Sequence, residues 1–136
     1  MIIVIDTNVI VSGLLKASGN PAEIVNYLLS RKIRAAYDIR IIRKYREVLR
    51  RPKFNFKNSD TDNFINFIER EGLLIYPEPL KTSLPDPGDL PFLETAAAIN
   101  SKTLVTGNSK DYPNAENTSV KIVSPVSFIT SLSDRK

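Results

Sequence analysis

The apolar residues of this chain fall into short runs and stripes whose period changes from element to element. Ile2-Ile3-Val4-Ile5 is an unbroken apolar run. That is the pattern of a strand buried on both faces, at the centre of a parallel sheet. A helix is predicted from Asn8 to Leu15. Pro21 opens a second helix through about Ser30, with Ile24, Val25, Leu28 and Leu29 at helical spacing. Ile33 to Tyr37 reads as a second strand. Arg40 to Arg51 reads as a helix with the stripe Ile41, Ile42, Tyr45, Val48 and Leu49, ended before Pro52. Ser59 or Asp60 can cap the next helix, which carries Phe64, Ile65, Phe67 and Ile68 and stops at Gly72. Leu73 to Tyr76 is a third strand. Five prolines between Pro77 and Pro91 make the following connection stiff and irregular. A helix opened by Pro91 runs to about Asn100. Thr103 to Thr106 and Val120 to Val123 are the last strands, and Ser124-Pro125 opens a final helix. Ser133 to Lys136 reads as a frayed end.

Strands that alternate with helices imply an α/β fold with helices on both faces of a mainly parallel sheet of about five strands, a three-layer α/β/α sandwich. The 136 residues fit one domain, 1–136, with a core of its own. No apolar run approaches the ~18 residues of a transmembrane helix. The chain enters its first strand with no basic leader, so the expectation is a cytoplasmic protein with no membrane partner.

The composition narrows the chemistry sharply. There is no Cys and no His. Disulfides, thiol or imidazole nucleophiles, an imidazole base and most zinc sites are therefore excluded. Any metal must be held by oxygen ligands, which suits Mg2+ or Mn2+. The net charge is only +4, but residues 31–57 carry eleven of the nineteen Lys and Arg against two acids, a local net of +9. Such a stretch suits a polyanion; the alternative is a solvated helix face that meets an acidic partner.

The acids are placed with equal bias. Asp6 closes the first strand, at the rim where open α/β sheets bind ligands. It is a candidate metal ligand and equally a candidate N-cap, and the two are compatible because Thr7 or Asn8 could also cap. Asp86, Asp89, Asn108 and Asp111 also fall after a predicted strand or at the start of a helix, hence near the same rim. Carboxylates gathered there repel one another unless a cation lies between them. A divalent ion in such a place can activate water and steady a phosphoryl transition state.

Five blocks, in order, resemble the PIN domain family. They are Ile3 to Ser12, Tyr45 to Phe54, Pro85 to Glu94, Leu104 to Asn108 and Val123 to Phe128. They are similar to the subgroup described as toxin components of toxin–antitoxin systems. The resemblance implies a Mg2+- or Mn2+-dependent nuclease acting mostly on RNA. It would place Asp6, Asp89 and Asn108 at the catalytic centre, with Asp6, Asp86, Asp89 and Asp111 around the metal. Thr7, Asn8 and Thr106 would face the substrate, as would Arg43, Lys44 and Arg50 of the basic stretch. A protein antitoxin and a homodimer would be its further partners. Three positions depart from the family pattern: Lys44 and Gly88 stand where acids are usual, and Asp111 where His is frequent. Glu47, one helical turn beyond Lys44, reads as a solvated residue paired with Arg43 or Arg51. The competing readings are a catalytically weakened PIN domain that binds RNA or protein, and a flavodoxin-like phosphotransfer domain. The last would want a second acid near Asp6, and Asn8 stands where it would be.

Overall fold

Because Ile3, Val4 and Ile5 have no solvent exposure at all, the strand they form needs a neighbour on each edge and helices on each face. A computed structural model, describing residues 1–134, shows this arrangement. Strand β1 (Ile2–Ile5) lies between β2 (Arg34–Tyr37) and β4 (Thr103–Val105), with β3 (Leu73–Leu74) and β5 (Lys121–Val123) at the edges. The order is β3-β2-β1-β4-β5, and all four pairings are parallel. The registers Ile3↔Ala35 and Val4↔Leu104 place the ends of β1 and β4 side by side. The chain order reverses between these two strands, and a crevice opens at such a point in α/β sheets.

Among the described residues, six helices complete a three-layer α/β/α sandwich: α1 (Thr7–Leu15), α2 (Asn20–Leu29), α3 (Ile39–Leu49), α4 (Asn58–Glu71), α5 (Leu90–Ala97) and α6 (Pro125–Ser133). Helix α1 packs on α2, α2 on α6, and α3 on α4, while α5 lies along β1, β2 and β4. The stripe predicted for α3 is the buried one: Ile41, Ile42, Tyr45, Val48 and Leu49 all face inward. Its N-cap, Asp38, accepts from the Ile41 amide at 2.9 Å. Of the frayed end expected at Ser133 to Lys136, residues 135 and 136 lie outside the described residues, and α6 continues through Ser133.

Strand β3 and the connections differ from the sequence expectation for physical reasons. Strand β3 has two residues rather than the expected Leu73 to Tyr76, because Asp38 turns its only neighbour, β2, into α3. After one further bond, from the Ile75 amide to the Tyr37 carbonyl at 2.7 Å, Tyr76 is 87% exposed. The connections also contain short 3-10 turns at Pro52–Phe54, Pro87–Asp89, Ser109–Asp111 and Ala115–Thr118. These have no long periodicity for a sequence pattern to reveal.

One buried ionic cluster sets the position of α5. Glu94 is 4% exposed, accepts from Arg40 at 2.8 Å and takes the Leu80 amide on its other oxygen, also at 2.8 Å. Arg40 also holds Asp38 at 2.7 Å. The first turn of α3 is thereby tied to the middle of α5 and to the chain at Leu80.

Helices α1 and α2 approach each other closely at Gly13. A Cβ on Gly13 would stand 2.4 Å from Val25 Cγ2 and 2.6 Å from the Pro21 carbonyl oxygen. Gly13→Ala should therefore destabilise the fold by about 1–3 kcal/mol, even though Ala is the better helix former. The urea midpoint should fall with an unchanged slope. An unchanged midpoint would mean that the two helices can separate freely.

Candidate active site

Asp6 leaves the end of β1 with both carboxylate oxygens engaged. Oδ1 accepts from the Thr7 amide at 2.7 Å, so Asp6 is itself the N-cap of α1. Oδ2 accepts from the Thr106 and Tyr112 hydroxyls, each at 2.8 Å. Asp6 thus caps α1 while it also lines the rim pocket. Asp6 is 4% exposed, and burial pushes its pKa above the ordinary carboxylate value against the pull of these three donors.

Around Asp6 the rim forms an open pocket of about 390 Å³. Asp86, Asp89 and Asp111 line it, together with Thr7 and Asn8 from the start of α1 and Lys44, Val48 and Arg51 from the α3 side. Asp86 caps the turn before α5 by accepting from the Gly88 amide at 2.8 Å. Asp89 occupies the N-cap position of α5 but makes no capping bond there, which leaves its side chain free for the pocket. Its pKa is raised to about 6, first by burial and then by the charges of Asp6, Asp86 and Asp111, while Lys44 pulls it down. Four carboxylates from three separate stretches of chain are therefore close enough to feel one another.

The other expected residues play supporting parts. Thr106 is buried: its hydroxyl donates to Asp6 and accepts from the Asn108 amide at 3.1 Å. It orients Asp6 and is not open to a substrate. Asn108 is exposed, does not line the pocket, and donates from Nδ2 to Asp111 Oδ1 at 3.0 Å. Asn8 lines the pocket and ties the rim together by accepting from the Gly107 amide at 3.0 Å. Lys44 lines the pocket, whereas Arg43 and Arg50 lie on the exposed side of α3, outside it. Glu47 is exposed and paired with Arg51 at 3.1 Å, as expected of a solvated helix residue.

The basic stretch is not one surface. Arg34 begins β2, at the opposite end of the sheet from Asp6, and Arg31 lies beside it, held by Glu71 at 2.7 Å. Arg40 is bound into the Glu94 cluster. The cations that line the pocket are Lys44 and Arg51.

Three contributors carried no signal of their own in the sequence. Tyr112 holds Asp6 from a loop with no periodicity. Tyr45, fully buried, donates its hydroxyl to the Ile5 carbonyl one residue before Asp6, although it reads as an ordinary core aromatic. Phe54, in the turn after α3, completes the pocket wall beside Arg51.

The donor set fits a hard divalent cation in two respects. It offers carboxylate and hydroxyl oxygens with no softer ligand. The Thr7 hydroxyl, in the pocket lining, is buried without a hydrogen-bond partner. Among the described residues no three acids are drawn close enough to form a ready-made metal-holding group, so a bound ion would have to draw them inward.

The raised pKa of Asp89, caused first by burial and then by its acidic neighbours, has a consequence for stability. An acid whose pKa is raised on folding binds its proton more tightly in the native state. Below pH ~4 both states are protonated and nothing is lost; as pH rises through ~4 to 6 the native state loses stability. Asp89→Asn should therefore stabilise the protein in EDTA at pH 7.5 by about 1 kcal/mol. Partial exposure screens it well below the ~3 kcal/mol that two pKa units would carry. The gain should vanish by about pH 4. Thermal midpoints of the two proteins at both pH values check this, and a gain that persists at pH 4 would mean a cause other than charge.

Comparison with known proteins agrees with this geometry. No significant match was found among curated proteins or among solved structures. A protein-family model, PIN domain, matches residues 2–110. That span takes in β1 to β4, helices α1 to α5, and every carboxylate of the pocket but Asp111, which lies one residue beyond it. On this match, which covers most of its length, the chain belongs to the PIN domain family.

Proposed function

We propose that this protein is a Mg2+- or Mn2+-dependent ribonuclease that cuts RNA phosphodiesters in the pocket around Asp6. PIN domains are typically metal-dependent nucleases, often acting on RNA. The observation that carries the reading is the convergence of Asp6, Asp86, Asp89 and Asp111 at the crevice between the ends of β1 and β4. These four acids would hold the ion. When bound, such an ion lowers the pKa of water and offsets charge on the phosphoryl group.

The protein's own groups supply the rest. Asp6 is held in place by Thr7, Thr106 and Tyr112, and the other acids would have to move toward it to share an ion. Asp89, whose carboxylate makes no capping bond at the start of α5, is free to turn toward the ion and orient the attacking water. Asn108 steadies Asp111. The start of α1 at the same rim favours a phosphate irrespective of base. Arg51 at the pocket edge and Arg43 and Arg50 on α3 would hold the flanking strand; such contacts position RNA without reading its sequence. Arg50 is engaged with Asp62, but an exposed pair of this kind is weak and can exchange for a phosphate. On the resemblance of the five blocks we extend the reading to a toxin component, homodimeric and held in check by a protein antitoxin.

A second reading, a binding module without catalysis, is favoured by Lys44 in the pocket and by the spread of the acids. Manganese-dependent cleavage of a generic single-stranded RNA, abolished by EDTA, separates the two. Asp6→Asn should cut that cleavage by at least ~100-fold, since it removes one ligand charge, while circular dichroism stays unchanged. Induction of the same two proteins in cells tests the toxin role: only the wild type should arrest growth. Undiminished cleavage by the variant would remove Asp6 from the centre.

Binding should also weaken with salt, with a slope near −0.7 per phosphate contact. Arg43→Ala combined with Arg50→Ala should flatten it by about one to one and a half. An unchanged slope would place the RNA on another surface.

A further inference from the structure

Lys44 is the one cation of the pocket that has no partner of its own. It lines the pocket with Asp6, Asp86, Asp89 and Asp111. Among the described residues it makes no ion pair within 4 Å, whereas Arg51, the other cation in the lining, is 3.1 Å from Glu47. Its backbone cannot move far. The next residue, Tyr45, is fully buried and bonded to the carbonyl of Ile5, immediately before Asp6. Room for the ammonium comes from Gly88. A Cβ built there would stand 3.6 Å from Lys44 Nζ and 3.2 Å from Asp86 Oδ1. A side chain at 88 would therefore compete for the space into which Lys44 reaches, between Asp86 and Asp89 in the chain. The ammonium is held near the carboxylates without being consumed by any one of them.

We propose that Lys44 is a resident counter-cation of this pocket. It offsets the four carboxylates while no divalent ion is bound, and it opposes the entry of one. It makes the pocket load only at a divalent concentration well above what the carboxylates alone would require. The second half of this proposal rests on the metal-dependent reading above; the first half does not. The charges within reach of one another are those of the lining, and their mutual energy falls as salt shortens the screening length from about 10 Å at 0.1 M toward 3 Å at 1 M. A Lys44 that served instead to grip a phosphate would leave both the metal-free fold and the metal affinity unaffected.

The test uses the full chain with Lys44→Met, which keeps the length of the stem and removes the charge, and Lys44→Arg, which restores it. In EDTA at about 20 mM salt, Lys44→Met should melt several degrees below wild type; near 1 M salt the gap should close, and Lys44→Arg should stay close to wild type at both. By calorimetry, manganese should bind Lys44→Met roughly tenfold or more tightly than wild type, since a unit charge a few ångströms from a divalent ion is felt strongly even after screening. A midpoint that does not move, or moves equally at both salts, overturns the proposal, because lost packing would be enough to explain it. Equal or weaker manganese binding by Lys44→Met also overturns it, as does a loss confined to RNA affinity. If neither protein binds manganese, the nuclease reading fails, yet a salt-dependent loss of stability in EDTA would still support Lys44 as the counter-cation.

Discussion

The structure turns on a carboxylate held dry at the end of the most buried strand. Asp6 follows three residues with no exposure and is itself almost sealed. A charge there is tolerable only if donors surround it. The chain supplies an amide from α1, a hydroxyl from the end of β4 and a phenol from the loop beyond it. Satisfying that one group therefore fixes three separate segments. The same bonds that make Asp6 affordable to bury cap a helix, lock β1 against β4 and shape the crevice between them. Thr106 shows the economy of the arrangement, because its one hydroxyl donates to Asp6 while it receives the Asn108 amide.

Electrostatic tension accumulates outward from this point. Asp86 and Asp89 arrive on the turn that starts α5, and the Arg40–Glu94 pair prevents α5 from drifting away. Asp111 arrives on a 3-10 turn steadied by Asn108. Each placement is locally favourable, since caps and turns welcome acids. Together they are unfavourable, and burial first, then this repulsion, holds the proton on Asp89 to about pH 6. A site that stores repulsion in the absence of its ligand gains it back when a cation binds, and this links stability to metal in the same residues.

Much of this was legible in the chain itself. The unbroken run at residues 2–5 identified the central strand, and the stripe on α3 gave its inward face residue by residue. Acids after strands marked the rim, since strand ends and helix starts share one edge of any parallel sheet. What was not legible depended on long-range closure. Nothing near Tyr112 or Tyr45 in sequence says that a phenol will reach Asp6 or the carbonyl before it. The charge density of residues 31–57 suggested one basic face, but a strand and a helix boundary intervene, so Arg31 and Arg34 end at the far side of the sheet. Asn108 was placed correctly on the rim yet faces Asp111 instead of the pocket, because a 3-10 turn rotates it by an amount that spacing alone does not reveal.

Helix α3 joins the two halves of the chemistry. Its buried stripe, through Tyr45, is braced directly against the residue before Asp6. Its opposite side carries Arg43, Glu47 and Arg50 into solvent. Lys44 sits at the border between these two sides, in the half-buried position from which a long side chain can keep its stem against protein and its charge toward the pocket. A shift of one residue in the register of this helix would bury a charge or expose Tyr45. The apolar packing that makes α3 a stable helix therefore also decides which charge meets the carboxylates, and so couples core packing to the affinity of the site for cations.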